Sequence, residues 1–209
     1  MQKPSFAEET ILKAQGYHYI AGIDEAGRGA LAGPVIAAAV ILPCQIDAPW
    51  LGEVNDSKQL KPARREFLFY RIYEAAISIG VGEVSPQTVD KDGIINATQL
   101  AMKRAVDQLS PPAEFLLIDY MHLTNVPLPQ KGITYGDCLC FSIACASIIA
   151  KVSRNRLMIE CDEIYPGYGL AQHKGYGTKH HLDCLRRLNP SAIHRYSFRP
   201  VKDMIEKKI

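Results

Sequence analysis

Two apolar strand patterns joined by a glycine-rich turn restrict the fold of this 209-residue chain more than any other segment. Apolar residues alternate over 17–24, and residues 35–42 form an almost unbroken apolar run before Pro43. The glycines of residues 27–33 lie between these runs, which predicts a tight connection and two neighbouring antiparallel strands. Gly33 comes one position too late for a dinucleotide-binding G-x-G-x-x-G sequence, and a strand pattern follows it. The turn is therefore not a Rossmann fingerprint.

Strand and helix patterns alternate along the rest of the chain, which predicts an α/β domain with a central mixed sheet flanked by helices. Further strands are predicted over residues 77–84, 115–118 and 132–135. Helical spacing and capping residues predict helices over 61–76, from Pro86 behind the cap Ser85, over 94–109, over 139–164 and, behind the cap Thr178, up to residue 188. Residues 165–177, rich in Gly and Tyr, are predicted to form a loop.

The overall charge hides an uneven distribution. The chain has 24 Lys+Arg and 22 Asp+Glu, and a net charge of +2 argues against a protein that coats nucleic acid through charge alone. Residues 1–150 hold 12 basic against 16 acidic side chains, whereas residues 151–209 hold 12 against 6. Two interpretations fit: chance variation in surface charge, or an acidic metal site beside a phosphate-binding surface.

Neither a membrane span nor a secretory signal is visible, so a cytoplasmic protein is expected. The six cysteines include no C-x-x-C pair, and reduced thiols are expected. Cys138, Cys140 and Cys145 lie in an apolar stretch and are expected to pack as small hydrophobic residues. The spacing of His180 and Cys184 leaves open a metal-ligand pair on one helix face.

Four carboxylates fall at the ends of predicted strands or just beyond them: Asp24, Glu25, Asp119 and Asp137. Ligands of open α/β sheets bind at strand ends. Neighbouring carboxylates raise one another's pKa, and a divalent cation removes that penalty. Oxygen ligands favour Mg²⁺ or Mn²⁺. Each acid alone fits a turn or cap as well, and Asp137 has a second interpretation as the cap of the long helix.

Several motifs, in the same order, resemble the ribonuclease HII family, the bacterial type 2 ribonucleases H. They are GIDEAGRG at 22–29 with LAGPV at 31–35, DSKQL at 56–60, ASIIAKV at 146–152 with Arg154, YPGYG at 165–169, HKGYGT at 173–178, and IHR at 193–195 with Ser197 and Phe198. The matches cover nearly the whole chain.

This resemblance implies a ribonuclease H-like fold, with a catalytic domain over 1–164 and a C-terminal loop and helical part over 165–209 packed on it. It implies an endonuclease that cuts on the 5′ side of ribonucleotides in RNA–DNA hybrids, including single ribonucleotides embedded in duplex DNA, as in ribonucleotide excision repair. The expected protein is a monomer without membrane attachment. The family's metal-binding acids fall on Asp24, Glu25, Asp119 and Asp137, which would hold two Mg²⁺ or Mn²⁺ ions and leave 5′-phosphate and 3′-OH products.

The resemblance also assigns substrate contacts. The matching residues are Gly27, Arg28 and Gly29 in the turn that reads the ribose 2′-OH, Tyr176 at the junction between the ribonucleotide and the next deoxynucleotide, Ser57 and Lys58 near phosphates, and Lys174 and Thr178 in the substrate loop. Further basic residues that could follow the phosphates are Lys151, Arg154, Lys179, Arg186 and Arg187, each of which alone also fits a solvated surface position. Two alternatives stay open here: Arg28 as an ion pair within the site, and Tyr176 as a packed loop aromatic.

The chain departs from the family pattern at Tyr120, Tyr135 and Asn155. The family usually has Gly after the third acid, Lys-Gly before the fourth, and Asp after the arginine of the long helix. Tyr120 and Tyr135 could narrow the site or change its metal affinity. Two rival functions remain: a non-catalytic binding module, and another nuclease or strand-transfer enzyme of the same fold.

Overall fold

The computed structural model describes residues 3–43, 46, 48–55 and 57–206. Cys44 and Asp56, which the sequence predictions include, lie outside the described residues, as do residues 207–209. The strands are β1 (Ile20–Ala26), β2 (Val35–Ile41), β3 (Ser78–Val84), β4 (Phe115–Asp119) and β5 (Gln130–Ile133). The helices are α1 (Ala7–Ala14), α2 (Pro62–Ala75), α3 (Pro86–Asp92), α4 (Ile94–Asp107), α5 (Gly136–Leu139), α6 (Phe141–Ile164), α7 (Leu170–His173), α8 (Lys179–Leu188) and α9 (Val201–Glu206), with a 3₁₀ helix at Pro49–Glu53.

A mixed sheet forms the centre of the molecule, with the strand order β3-β2-β1-β4-β5. β1 and β3 both pair antiparallel with β2, which confirms the antiparallel pair predicted from the glycine-rich turn. β4 pairs parallel with β1 and with β5. The predicted class, an α/β fold with a mixed sheet between helices, is confirmed.

Helices cover both faces of the sheet. Ala97, Ala101 and Ala105 of α4 pack in an apolar cluster on one face, and α2 and α6 form a second cluster with Ala38 and Val40 of β2 on the other. α6 crosses β1 so closely that a Cβ at Gly22 would lie 2.1 Å from the carbonyl carbon of Ser142. This close approach places α6 directly over the acidic end of β1.

The long helix begins later than predicted. Residues 139–164 were expected to be one helix, but extended backbone at Cys140 separates α5 from α6, which begins at Phe141. Asp137 therefore lies in the first turn of α5 and does not cap the long helix, whose N-cap is Cys140. The predicted loop over 165–177 contains the single turn α7.

Two strand boundaries also differ from the predictions. β1 begins three residues later and ends two residues later than the predicted 17–24, and β5 ends at Ile133 instead of residue 135. Alternation places a strand well but does not define where its backbone pairing stops. The predicted caps Ser85 and Thr178 are confirmed, because their hydroxyls accept the N–H of Thr88 and His181, both at 3.3 Å.

The C-terminal helices share an apolar cluster with the end of α6. Leu170, Leu185 and Val201 pack there with Met158 of α6 and Leu31 of the glycine-rich turn. The C-terminal part thus packs on the sheet domain, while the domain boundary at residue 164 stays a prediction.

The five described cysteines are free thiols, and Cys140 and Cys145 are buried as expected. Cys184 is buried in the C-terminal cluster whereas His180 is exposed, so these two do not form the metal-ligand pair left open above. No helix in the described part of the chain is long and apolar enough to cross a membrane.

Candidate active site

Strand pairing brings three of the four predicted acids together. Ile23 of β1 pairs with Ile118 of the parallel strand β4, so the residues that follow them, Asp24 and Asp119, are neighbours at the same edge of the sheet. Asp24, Glu25 and Asp119 line one cavity, which the turn residues 27–29 also border.

Asp24 is the most strongly perturbed of these acids. It is 5% exposed, and its Oδ1 accepts the backbone N–H of Glu25 at 2.7 Å. Burial, followed by the negative charges of Glu25 and Asp119, raises the pKa of Asp24 well above its usual value, while a hydrogen bond from Ser147 lowers it. The ionised site therefore needs a positive charge to balance it.

Glu25 has positive charges within reach. Burial raises its pKa, Arg28 and Lys58 lower it, and Asp119 adds a smaller rise. The guanidinium of Arg28 lies 3.8 Å from a carboxylate oxygen of Glu25. In this structure Arg28 therefore forms an ion pair within the site, the alternative that the sequence left open.

Asp137 lies on the other side of Asp119. It is 6% exposed in α5 and lines a second cavity of about 480 Å³, which Asp119, Tyr120 and Tyr135 also line. The N–H of Gly136 donates to Oδ1 of Asp119 at 2.7 Å, which ties α5 to the end of β4. Asp119 thus links the two cavities and, through them, all four predicted acids.

The acids suit a hard divalent cation by their chemistry. The four predicted ligands offer only carboxylate oxygens, and burial together with the charges of Glu25 and Asp119 raises the pKa of Asp24, a penalty that a bound cation removes. Within the part of the chain that the structure describes, no three acidic, histidine or thiol side chains converge into a ready-made metal cage. The carboxylates at the ends of β1 and β4 fit Mg²⁺-type binding, in which one or two carboxylates hold the ion and water and substrate phosphate complete its shell.

A buried arginine fixes the glycine-rich turn. Arg154 of α6 is 1% exposed, and its guanidinium donates to the carbonyls of Pro34, Ala32 and Lys174, each at 2.9 Å. Gly27 has φ +90°, and a Cβ there would lie 1.9 Å from Nε of Arg154. Arg154 was predicted as a phosphate contact. That prediction was wrong, because its donors point into the protein.

Arg195 holds the same turn from the C-terminal part. It is fully buried, and it donates twice to the carbonyl of Gly33, at 3.1 and 2.9 Å, and once to that of Arg28, at 2.9 Å. Burial and the nearby charge of Arg154 lower the pKa of Arg195 to about 9. No role for Arg195 is predicted from sequence, where its place in the IHR motif is the available signal.

Ser147 is a second residue that the sequence analysis left without a role. Its hydroxyl hydrogen-bonds to Asp24 and lies 2.9 Å from the hydroxyl of Ser57. Ser57 is 2% exposed, so in this structure it supports the acid site through Ser147. The predicted phosphate contact of Ser57 stays a prediction, and so does that of Lys58, which lines both cavities.

Tyr176 borders the cavity that contains Asp24. The ammonium of Lys151 lies 5.0 Å from the centre of its ring, and the guanidinium carbon of Arg154 lies 5.4 Å from it. Lys151 also lines the cavity. The half-buried ring thus lies beside the acids and next to positive charge, and its predicted contact with substrate stays a prediction.

The other predicted substrate residues have structural partners. Lys174 donates its ammonium to the carbonyl of Ala171, and Thr178 caps α8. Among the further basic candidates, Lys179 is exposed, Arg186 pairs with Asp183 at 2.6 Å, and Arg187 donates to the carbonyl of Gly167 at 3.5 Å. Their predicted contacts with phosphates stay predictions.

A chain of neutral histidines holds the backbone of Tyr176. Nδ1 of His181 lies 3.0 Å from the carbonyl oxygen of Tyr176, which only accepts, so Nδ1 carries the proton. Nε2 of His181 then accepts from Nε2 of His194 at 3.1 Å, and Nδ1 of His194 accepts the N–H of Ser191 at 3.0 Å. In this arrangement, protonation of His181 turns its Nε2 from an acceptor into a donor, which opposes the N–H of His194.

We expect this histidine chain to make stability depend on pH. Burial lowers the pKa of His181 and of His194 from 6.5 to about 4. Stability is complete above the unfolded pKa of 6.5 and falls as the pH drops towards 4, because the unfolded chain takes up protons that the folded chain excludes. The expected slope is about 1.4 kcal/mol per pH unit for each histidine.

Urea unfolding between pH 7.5 and 4.5 measures this dependence. Buried acids with raised pKa, such as Asp24, act in the opposite direction, so the His181→Gln/His194→Gln variant is the reference. Its free energy of unfolding should change less with acidification than that of the wild type. The matched control is His122→Gln at an exposed position, which should leave the slope unchanged. Parallel slopes in all three proteins would contradict the assignment.

Comparison with solved structures defines the class of the fold. The ribonuclease HII of Archaeoglobus fulgidus, solved in complex with PCNA, matches with a TM-score of 0.70 and 25% identity over 87% of this chain and 95% of that one. Bst-RNase HIII, solved in complex with Mn²⁺, matches with a TM-score of 0.63 and 18% identity over 92% and 70%. The fold is that of the ribonuclease H-like proteins.

Sequence comparison identifies the family within that class. The family model described as Ribonuclease HII matches residues 21–201. The ribonuclease HII of Dehalococcoides mccartyi strain BAV1 is 56% identical over 203 residues, which cover 97% of this chain and 96% of the relative. This chain belongs to the ribonuclease HII family and is a hydrolytic endoribonuclease.

Proposed function

We propose that this chain nicks duplex DNA on the 5′ side of an embedded ribonucleotide, including a single one, and leaves 5′-phosphate and 3′-OH ends. As a member of the ribonuclease HII family it is an endonuclease that acts on RNA–DNA hybrids. The observation that carries the finer proposal is the shared cavity, in which the acids Asp24, Glu25 and Asp119 meet the 27–29 turn and Tyr176.

Selectivity for ribose follows from the rigid backbone of the turn. A 2′-OH both donates and accepts, and a backbone offers N–H and C=O groups to match it. Arg154 and Arg195 bind the carbonyls on either side of Gly29, at Arg28, Ala32 and Gly33. The turn is therefore held in place before substrate arrives, which reduces the cost of ordering it on binding.

The acids supply the chemistry. We propose that Asp24, Glu25, Asp119 and Asp137 hold two divalent cations, Mg²⁺ or Mn²⁺. When bound, such ions activate the attacking water and stabilise the leaving oxygen. Asp24 and Asp119 are placed by β1 and β4, and rigid strands keep their carboxylates in register. Ser147 orients Asp24, and Gly136 orients Asp119.

The test is cleavage of duplex DNA that contains one ribonucleotide, in Mg²⁺ or Mn²⁺, with sequencing-gel mapping of the nick. We expect a single nick 5′ to the ribose and no cutting of the matched duplex that has a deoxynucleotide there. Inserts of one, four and all-RNA residues compare single-ribonucleotide with hybrid cutting. Binding without nicking would favour the binding module, and cutting of the all-DNA duplex would favour a different nuclease.

We expect Tyr176→Ala to lower kcat/KM on the single-ribonucleotide duplex by roughly ten- to a hundredfold. This is the effect on binding that the loss of one stacked aromatic ring usually has. Tyr176→Phe keeps the ring and should retain most of the activity. His181 hydrogen-bonds to the backbone carbonyl of Tyr176, which both variants retain, so the two variants differ only in the side chain. Equal losses in the two variants would contradict a role for the ring face.

A further inference from the structure

Tyr120 and Tyr135 are the most unusual side chains beside the acids. Both have left-handed backbone, with φ +59° and +58°, a conformation that favours glycine. Their side chains are also 70% and 74% exposed, so packing within the protein does not explain why a large ring stands at either position. A left-handed backbone at an exposed aromatic residue, without packing that explains it, points to a binding partner outside the chain.

Each tyrosine lies just beyond a strand and close in sequence to a predicted metal-binding acid: Tyr120 follows β4, and Tyr135 lies between β5 and α5. Tyr120 directly follows Asp119, and Tyr135 comes two residues before Asp137. The N–H of Tyr120 donates to the carbonyl of Ile133 at 3.0 Å, which holds the backbone of Tyr120 against the end of β5, two residues before Tyr135. Both tyrosines line the cavity of about 480 Å³, which Asp119 also lines and Tyr176 does not.

The same cavity carries positive charge. Arg28 and Lys58 line it, and they also line the cavity of Asp24 and Tyr176. An anionic chain that crosses the acids therefore meets cations on its way from one cavity to the other. Exposed aromatic rings beside such cations are the combination with which proteins bind a nucleic acid strand without reading its sequence.

We infer that Tyr120 and Tyr135 form a second aromatic subsite, which packs against the sugars of the cleaved strand on the 5′ side of the scissile phosphate. The inference rests on the proposed function, in which Tyr176 contacts the strand on the 3′ side of the ribonucleotide. Tyr176 lines only the first cavity, Tyr120 and Tyr135 line only the second, and Asp119 lines both. A strand whose 3′ side lies at Tyr176 and which passes Asp119 therefore brings its 5′ deoxynucleotide segment to Tyr120 and Tyr135.

The variants Tyr120→Gly and Tyr135→Gly test this subsite. Glycine accepts the left-handed backbone, so we expect melting temperatures no lower than that of the wild type. We expect KM for the single-ribonucleotide duplex to rise roughly tenfold in each variant, with kcat within about twofold. The Phe variants at both positions should stay within about twofold of the wild-type KM. The control is Tyr70→Ala, an exposed tyrosine of α2, which should leave KM unchanged.

Substrate truncation locates the contact. Shortening the cleaved strand on its 5′ side should abolish the difference in KM between wild type and the Gly variants, whereas shortening on the 3′ side should leave it intact. Tyr176→Ala should show the reverse pattern. If the wild type nicks the duplex but the Gly variants keep its KM, or if the difference survives 5′ truncation, the subsite is wrong. Absence of nicking by the wild type would instead overturn the proposed function.

Discussion

Asp24→Asn should reduce the rate of cleavage by roughly a thousandfold or more and at the same time raise the melting temperature of the metal-free protein. The loss of rate follows because an amide cannot supply the negative charge that binds a divalent cation at the end of β1. The gain in stability follows because burial, Glu25 and Asp119 make the ionised carboxylate unfavourable in the folded chain. An amide oxygen can still accept the N–H of Glu25 and the hydroxyl of Ser147.

Both effects are measured on one preparation, by single-turnover cleavage in Mg²⁺ and by thermal unfolding in EDTA. The matched control is Asp183→Asn, which removes an exposed carboxylate paired with Arg186 and should change neither quantity appreciably. A variant that keeps more than about a tenth of the wild-type rate would contradict the role of Asp24 as a metal ligand. A melting temperature of Asp24→Asn below that of the wild type would contradict the claim that the ionised carboxylate of Asp24 destabilises the folded chain.

Arg154→Met should lower the free energy of unfolding by roughly 3–5 kcal/mol, the largest effect on stability that we expect from a single side chain. Three carbonyls, those of Ala32, Pro34 and Lys174, lose a charged donor and stay buried. Arg154→Lys should recover only part of this loss, because one ammonium cannot reproduce the planar fork of the guanidinium.

Chemical denaturation measures the change, and Arg156→Met is the control two residues along the same helix. Arg156 is partly exposed and bonds to Glu66 and Tyr70 at 2.6 and 3.0 Å, so its loss should cost about 1 kcal/mol or less. Equal costs for the two variants would mean that the carbonyls near the turn find water or other donors. Cleavage by Arg154→Met, assayed below its melting temperature, should also fall, because the 27–29 turn loses its support.

The sheet and its main helices were predictable because their signals are local. The alternation before Asp24, the apolar run of β2 and the caps Ser85 and Thr178 each depend on a few neighbouring residues. The break between α5 and α6 was missed, because apolar residues continue through it and only the backbone at Cys140 departs from a helix.

The acids themselves were predictable from sequence, but their grouping was not. Asp24 and Asp119 are 95 residues apart and meet through the parallel pairing of β1 and β4. Asp137 reaches the site from a separate turn, α5, whose N–H group binds Asp119. Residue type indicated the chemistry of a cation site, whereas strand register decided which carboxylates share a cavity.

The sequence by itself determined the order of strands and helices, the glycine-rich turn and the acids at strand ends, because hydrophobic periodicity, backbone freedom and charge are properties of short segments. Only the tertiary structure decided that Arg154 faces inward, that Ser147 supports Asp24, and that His181 and His194 hold the loop of Tyr176. Burial and hydrogen bonding between distant segments set these roles, and the identity of a residue does not reveal which carbonyl its donors will meet.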